Sequence, residues 1–581
     1  MNTLKMCTVT ENNDKAFITT GSYCLDFFGR ITRNSVPSDY ILSFMKAWDE
    51  NQDIAFKILM NMRDVRNGKG EKLIPIVIIF YIKLIFALDV YKAILSKLVE
   101  YGYWKDLLKI IELETRYRSI HMSKYTTKKL SSSIEVILFA DQLSKDYHIY
   151  TESVKLGKTI PAISLAAKWA PTEKTHYDHH PMFTASKIWE YMKISAKEYR
   201  IMLTTLRKHI CVLEMLMSCQ RYDEIDFSKL PSIAMIKLKN AFKRDTNSKG
   251  VQSDKRVLLN LSYQQYLSNL TKGETKINVK GIQPHELISQ YNTHNSTIDP
   301  LIEAQWLAIK ERASSSGAFR DVTAIVDVSG SMTGQPMEVA IALGILVAEC
   351  TKGPFHGRVI TFHTSPTWHQ LVGSNLKEQI ICMSKAPWGG STDMRKVFDL
   401  ILNNAISANL TSDEMVKKLF IFTDMQFNQC DNSNWQSTFE YAKEKFEISG
   451  YNLPKIICWN LSTSNTKSLP VTVEQEGFAM LSGFSAELLK CIIDCEEFTP
   501  YSMMAHILEP YNVPPEVTLC PTISPLRNSI NISDIEIAIT KSVIKKGFKK
   551  VPEKISENIS EKISENISEN ISENISEISK Y

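Results

Sequence analysis

The chain has no Cys-x-x-Cys pair among its 11 cysteines, which removes the commonest zinc-ligand spacing. Cys491 and Cys495 stand four apart, a spacing that suits one helix face better than a metal shell. Scattered free thiols suit a reducing compartment. Met1–Thr10 carries Lys5 but no apolar core segment, so no secretory leader is legible. Long apolar runs are also missing. The most apolar stretch, Leu73–Leu88, contains Pro75 and Lys83 and is shorter than the ~20 residues that span a bilayer. It reads as a buried helix. These absences predict a cytoplasmic, intracellular protein with no membrane partner, the nucleus and a virion staying open as alternatives. Glycine is scarce, 22 residues in 581, and strand-like alternation is weak before residue 310.

What is present divides the chain. A hydrophobic content of 44% and a charged content of 23% are those of globular proteins, and 581 residues exceed one domain. The net charge of +4 conceals an asymmetry. Residues 1–300 hold 43 Lys/Arg and 31 Asp/Glu, a net of +12, and the remainder holds 25 and 33, a net of −8. A basic first half suggests an anionic partner, nucleic acid being the usual one. Docking of a basic half on an acidic half is the alternative. The abundance of Ile, Lys, Asn and Ser is that of an AT-rich coding sequence, such as some viruses carry.

Residues 38–312 read as all-α, an array of packed HEAT-like hairpins. Ile54, Ile58, Leu59 and Met62 recur at helical spacing, and Asn67-Gly68 supplies a stop. Further helices are predicted over Val90–Val99, Trp104–Leu113, Ser133–Ser144, Ala185–Tyr199 and Ile201–Met217. From Arg320 the pattern changes. Short apolar runs (321–327, 357–363, 367–372, 417–424, 455–461, 477–481) alternate with helical stretches (336–351, 392–406, 436–448, 485–495). Residues 313–498 therefore predict an α/β, doubly wound (Rossmann-like), mainly parallel sheet. Residues 1–37 read as an N-terminal extension, Arg312–Ala318 as a small polar hinge, and 499–545 as an extension packing back on the domains. Residues 546–581 are low in complexity. Ile recurs every four residues from Ile555 to Ile575, and such a stripe drifts by about 40° per repeat on a helix. The tail reads as disordered, with a weak coiled-coil-like segment as the rival.

Asp327-Val328-Ser329-Gly330-Ser331 closes the apolar run Val322–Val326. Thr392 follows Gly389-Gly390-Ser391, and Asp424 ends a second run, Leu419–Thr423. Two carboxylates and three hydroxyls at strand tips suit a hard divalent cation. Mg²⁺ takes oxygen ligands in a near-octahedral shell and keeps some waters. In doubly wound sheets, ligands bind outside the carboxyl ends of the strands, where these residues are predicted to sit. The alternative is a strand-to-helix turn whose Ser hydroxyls cap the next helix. The constellation resembles the metal-ion-dependent adhesion site of von Willebrand factor A (vWA) domains. That resemblance implies Mg²⁺ or another divalent cation such as Mn²⁺. Ser329, Ser331 and Thr392 would ligate directly, and Asp327 and Asp424 directly or through water. A protein partner would offer an acidic residue to the open position. Trp388 would shape the metal loop or sit at its rim as a contact residue.

The first half carries its own signature. Arg63, Arg66, Lys69 and Lys72, with Gly68 and Gly70, end a predicted helix. Cations there stabilise a helix C-terminus or, in the functional reading, touch phosphate. No Gly-x-x-x-x-Gly-Lys-Ser/Thr spacing and no leading strand are present, so an ATP loop is excluded. Lys239, Lys243 and Arg244 form a second basic group, with a solvated helix face as the plain alternative. With Tyr101–Leu108, Ser164–Pro171, Tyr199-Arg200 and Leu206–Lys208, the Arg63–Lys72 segment resembles the TROVE-like plus vWA family (DUF2828-type). That family is distantly like the Ro autoantigen RNA-binding proteins. The resemblance implies a helical module that holds small noncoding or structured RNA beside a metal-bearing vWA domain. A protein–protein scaffold without RNA is the second reading. His176, His179 and His180 with Asp178 offer a zinc alternative without a second ligand pair, so a polar surface loop is preferred. A phosphatase using Asp327 as nucleophile would need a general acid two residues on, where Ser329 stands. The expectation is a non-catalytic protein.

Overall fold

Apolar residues at helical spacing build the first half. The computed structural model describes residues 7–9, 15–121, 133–246, 250–291, 297–315, 319, 321–361, 365–386, 394–425, 435–462, 469–491, 498–519 and 530–544. After a hairpin of β1 (Cys7–Val9) and β2 (Lys15–Phe17), helices run over Tyr23–Arg30, Pro37–Glu50, Gln52–Arg63, Ile74–Ile85, Leu88–Tyr101, Lys105–His121 and Ile134–Lys155. Shorter helices follow, up to Pro300–Ser314. Asn51 opens Gln52–Arg63 by accepting the Ile54 N–H at 3.0 Å. Ile74–Ile85 is apolar apart from Lys83, which pairs with Glu114 and Glu135, and is buried on nearly every side, as a helix inside a core must be. Each Ile buried there stabilises the fold by about 1.5–3 kcal/mol.

Two predicted helices are each divided. Ala185–Tyr199 is Thr184–Tyr191 followed by Ala196–His209. Lys193 takes a φ of 56°, and Ser195 starts the second helix through a reciprocal cap with Glu198. The Ser-x-x-Glu cap outweighs the continuous apolar spacing. Ile201–Met217 likewise breaks after His209, with Cys211 at a φ of 50°, and resumes at Leu213–Ser218.

The second half forms a six-stranded mixed sheet from β3 (Val322–Val326), β4 (Arg358–Thr361), β5 (Thr367–Gln370), β6 (Lys418–Thr423), β7 (Lys455–Asn460) and β8 (Phe478–Ser482). Their order is β5-β4-β3-β6-β7-β8, and each pair is parallel except β4 with β5. Every residue of β3 and β8 is buried, which fits unbroken apolar runs. Helix Leu376–Ser384, capped by Asn375, was not foreseen. Strand order reverses direction between β3 and β6, so the crevice for ligands opens at their carboxyl ends.

The two halves share one continuous apolar core, while residues from Leu213 to Leu301 build a smaller second core. Helix Tyr23–Arg30 packs on β8, and its last carbonyls are held by sheet residues. Asn460 Nδ2 donates to Gly29 O and Arg30 O at 3.3 Å. Ser482 Oγ lies 2.7 Å from Phe28 O and 2.9 Å from Ile31 O. Helix Pro500–Leu508 lies on β8, and Ile532–Ile544 lies on helices Pro37–Glu50 and Lys105–His121. Tyr511 donates to Asp64 Oδ2 at 3.0 Å and accepts from Asn61 Nδ2 at 3.2 Å. Of the expected hinge Arg312–Ala318, residues 312–314 end helix Pro300–Ser314. Residues 316–318 lie outside the described residues, but Arg312 pairs with Glu487 at 3.0 Å and a common core spans the junction. The tail 546–581 also lies outside them. Among the described residues, no helix is long and apolar enough to cross a membrane.

Candidate cation site at the carboxyl edge of the sheet

Strands β3 and β6 run side by side with Val326 opposite Phe422, so Asp327 comes beside Thr423, with Asp424 next in the chain. Asp327 N donates to Phe422 O at 3.0 Å. Asp327 is 1% exposed and its carboxylate is fixed from both sides. Oδ1 accepts the Ser329 N–H at 2.9 Å, and Oδ2 accepts the Thr423 hydroxyl at 2.7 Å. Asp424, the next residue after β6, is equally buried. Ser329 and Ser331 flank the start of a short 3-10 turn, Gly330–Met332, and their Oγ atoms stand 3.0 Å apart. Ser329 is half-buried and Ser331 exposed, so the hydroxyl side of the group faces out.

Carboxylate and hydroxyl oxygens are the donor type that a hard cation takes. Neighbouring oxygens of an octahedral Mg²⁺ shell, each about 2.1 Å from the ion, stand about 3.0 Å apart, the separation of the two hydroxyls. Among the described residues no three His, Cys, Asp or Glu side chains converge, so hydroxyls must complete any shell here. Thr392 and Trp388 lie outside the described residues. Thr423 was missed from sequence, although a hydroxyl directly before a strand-terminal Asp is its signal. Helix Gln335–Cys350 follows the loop and presses on β3. A Cβ at Gly344 would lie 2.4 Å from Val326 Cγ2, so this helix–strand approach requires glycine.

Two family models described as domains of unknown function cover these two halves. DUF2828 matches residues 10–136 and 134–319, and DUF7788 matches residues 321–509. The chain is also 57% identical over 541 residues to "Uncharacterized protein L728" of Acanthamoeba polyphaga mimivirus, covering 92% of this chain and 94% of that one. The chain belongs to the DUF2828 family. The DUF2828 region holds the basic loop and the DUF7788 region holds the Asp327 group.

In this DUF2828 protein two of the four cations of the basic loop are turned inward, which corrects part of the predicted phosphate surface. Arg63 is buried, with Nε and Nη2 on Asp106 Oδ2 at 2.7 and 2.6 Å, and its guanidinium stacks over Tyr103. Lys69 is 1% exposed. Its ammonium donates to Phe28 O and to Ser482 Oγ at 2.7 Å, and lies over the Phe28 ring. Burial pushes the Lys69 amine down to about 7, with nearby Glu71 opposing. Neither side chain can reach a phosphate. A Cβ at Gly68 would lie 2.1 Å from Asn61 O, so the tight turn is built for this inward fold. Arg66 stays exposed while donating to Glu100 O at 2.9 Å, and Lys72 is 60% exposed with Glu286 at 3.6 Å. Lys239 is paired with Asp299 at 2.7 Å and mostly covered, whereas Lys243 and Arg244 are exposed just past helix Ser232–Phe242. In the His176–His180 segment, Asp178 Oδ1 caps the next helix through Ala185 N at 2.9 Å, a structural task that leaves zinc without support.

Proposed function

We propose that the protein is a non-catalytic binding scaffold whose α/β half holds Mg²⁺ or Mn²⁺ in the manner of a vWA metal-ion-dependent site. Asp327, Ser329, Ser331 and Asp424 would hold the ion, with Thr392 as the further hydroxyl. A bound cation would supply a Lewis-acidic position for a carboxylate of a protein partner. The observation that carries this reading is that Asp327 and Asp424 both follow the carboxyl ends of adjacent parallel strands at the order reversal, Asp327 beside Thr423 and Asp424 next in the chain, with two hydroxyls 3.0 Å apart. The nucleophile reading of Asp327 has no acid at Ser329 to serve it. Calorimetry with Mg²⁺ on the intact chain is the test. The wild type should release or absorb binding heat, and Asp327→Ala with Ser329→Ala should abolish it. Equal heats from both proteins would reject the site.

A second reading adds RNA to the helical half. Its support is the +12 balance of residues 1–300 together with exposed Arg66, Lys72, Lys243 and Arg244. Phosphate contacts weaken steeply with salt. Filter binding of structured RNA to the intact chain should then fall between 50 and 200 mM salt, by about 10²-fold for four phosphate contacts. Replacing all four cations by Gln should reduce binding at low salt. No retention even at low salt would remove RNA and leave the protein–protein scaffold.

A further inference from the structure

The smaller core built by residues from Leu213 to Leu301 leaves one side of its longest helix uncovered. Helix Asp254–Thr271 packs Leu259, Tyr263, Tyr266 and Leu267 into that core. At about 100° per residue, its opposite side carries Leu258, Leu261, Ser262, Gln265 and Ser268, all exposed. Leu258 is 65% exposed and Leu261 60%. A surface helix ordinarily turns charged and polar residues to water. Here Val257–Thr271 holds no Asp, Glu, Lys, Arg or His, so about four turns face solvent without a charge.

The charges of this side stand at its ends. Asp254 lies in the first turn and Lys272 just past the last, and both are exposed. Their separation is a whole number of helical turns, so they fall on one line with the leucines between them, whereas Lys255 is turned about 100° away. An acid at the start and a base at the end also suit the helix dipole. The dipole gives no reason for two bare leucines between them. A second copy of this chain does. Two copies of the helix laid antiparallel about a two-fold axis near Tyr263 bring Asp254 of each to Lys272 of the other. Leu261 then meets Gln265, and Leu258 meets Ser268, a large side chain against a small one. A two-fold contact sets a surface against itself, so a charge near the axis would face its own copy. A neutral face with opposite charges at its two ends is self-complementary only in the antiparallel sense.

We propose that helix Asp254–Thr271 is the contact of a symmetric, antiparallel homodimer, held by Leu258 and Leu261 and oriented by the Asp254–Lys272 pairs. The face is one helix wide, short of the roughly 1,600 Å² that a standard interface buries, so the dimer is weak and reversible. Neither the cation site nor RNA enters this contact.

Sedimentation equilibrium of the intact chain from about 1 to 100 µM brackets such an affinity and should show the mass rise from one chain to two. Leu258→Lys with Leu261→Lys should weaken the dimer at least about 100-fold and leave the thermal midpoint of the dilute protein unchanged. Asp254→Lys and Lys272→Asp should each weaken it about tenfold, since the symmetry counts each change twice. Mixed in equal amounts, these two single variants should pair with each other as tightly as the wild type pairs with itself, because opposite charges then meet at both ends. A single-chain mass at every concentration overturns the proposal, and so does a mixture that recovers nothing. A dimer that survives the leucine variant overturns it as well. If that dimer disappears when residues 546–581 are removed, the tail is the contact instead.

Discussion

At the scale of single residues, identity and position together did not decide role. Arg63, Arg66, Lys69 and Lys72 share one loop, yet two are buried and two are exposed. The sequence signal for all four was the same, because their partners are remote: Ser482 lies 413 positions from Lys69, and Asp106 lies 43 from Arg63. Removing Arg63 would take the buried partner from Asp106 and leave it Lys109 at 3.1 Å and the Tyr103 N–H at 3.0 Å, so Arg63→Ala should destabilise the fold by about 1.5–3 kcal/mol in denaturant titration. Lys69 makes a pH prediction. Its amine falls from 10.5 to about 7 on folding, so between those values the unfolded chain binds the extra proton. Stability should therefore rise with pH from about 7 to 10, and the contribution of neutral Lys69 is lost as pH falls through 7. Lys69→Met should flatten that slope. Identical pH slopes in the two proteins would contradict the buried, neutral amine.

Elements were more legible than side-chain roles. Each β-strand of the sheet falls within or within one residue of its predicted run; the buried parallel strands do so because they need unbroken apolar residues, which leave a plain mark, whereas β5 is an antiparallel edge strand with exposed ends. Helix ends were less so. The break at Lys193 followed from a local Ser195–Glu198 cap that was readable, whereas helix Leu376–Ser384 is short and weakly patterned. Thr392 lies outside the described residues. The seating of β3 against helix Gln335–Cys350 carries a prediction. Gly344→Ala places a methyl 2.4 Å from Val326 Cγ2 and should cost about 1–3 kcal/mol through overpacking. On the proposed cation site, the same change should also weaken Mg²⁺ heats by displacing Asp327. Adding Val326→Ala should restore a good part of the stability, and no recovery in the double variant would show that the contact is not the cause.

Across the whole molecule, one core runs through both halves, and the chain after the sheet returns to helices near its start. Calorimetric unfolding should therefore show one main transition for the helical and α/β halves together, and two well-separated transitions would refute the shared core. His285 adds an acid limit. Buried beside Phe484 and near Arg33 and Lys72, its imidazole is pushed down to about 3. Its contribution is present above the usual 6.5 and lost as pH falls toward 3, so the fold should weaken through that window. The sequence by itself determined the division into a helical and an α/β half and the placing of Asp327 and Asp424 after apolar strands, since periodicity and strand ends are local properties of the chain. The tertiary structure alone decided which cations face inward, that Thr423 holds Asp327 and that the two halves are welded. Each of these depends on groups brought together across long stretches of chain, and no local pattern encodes such a meeting.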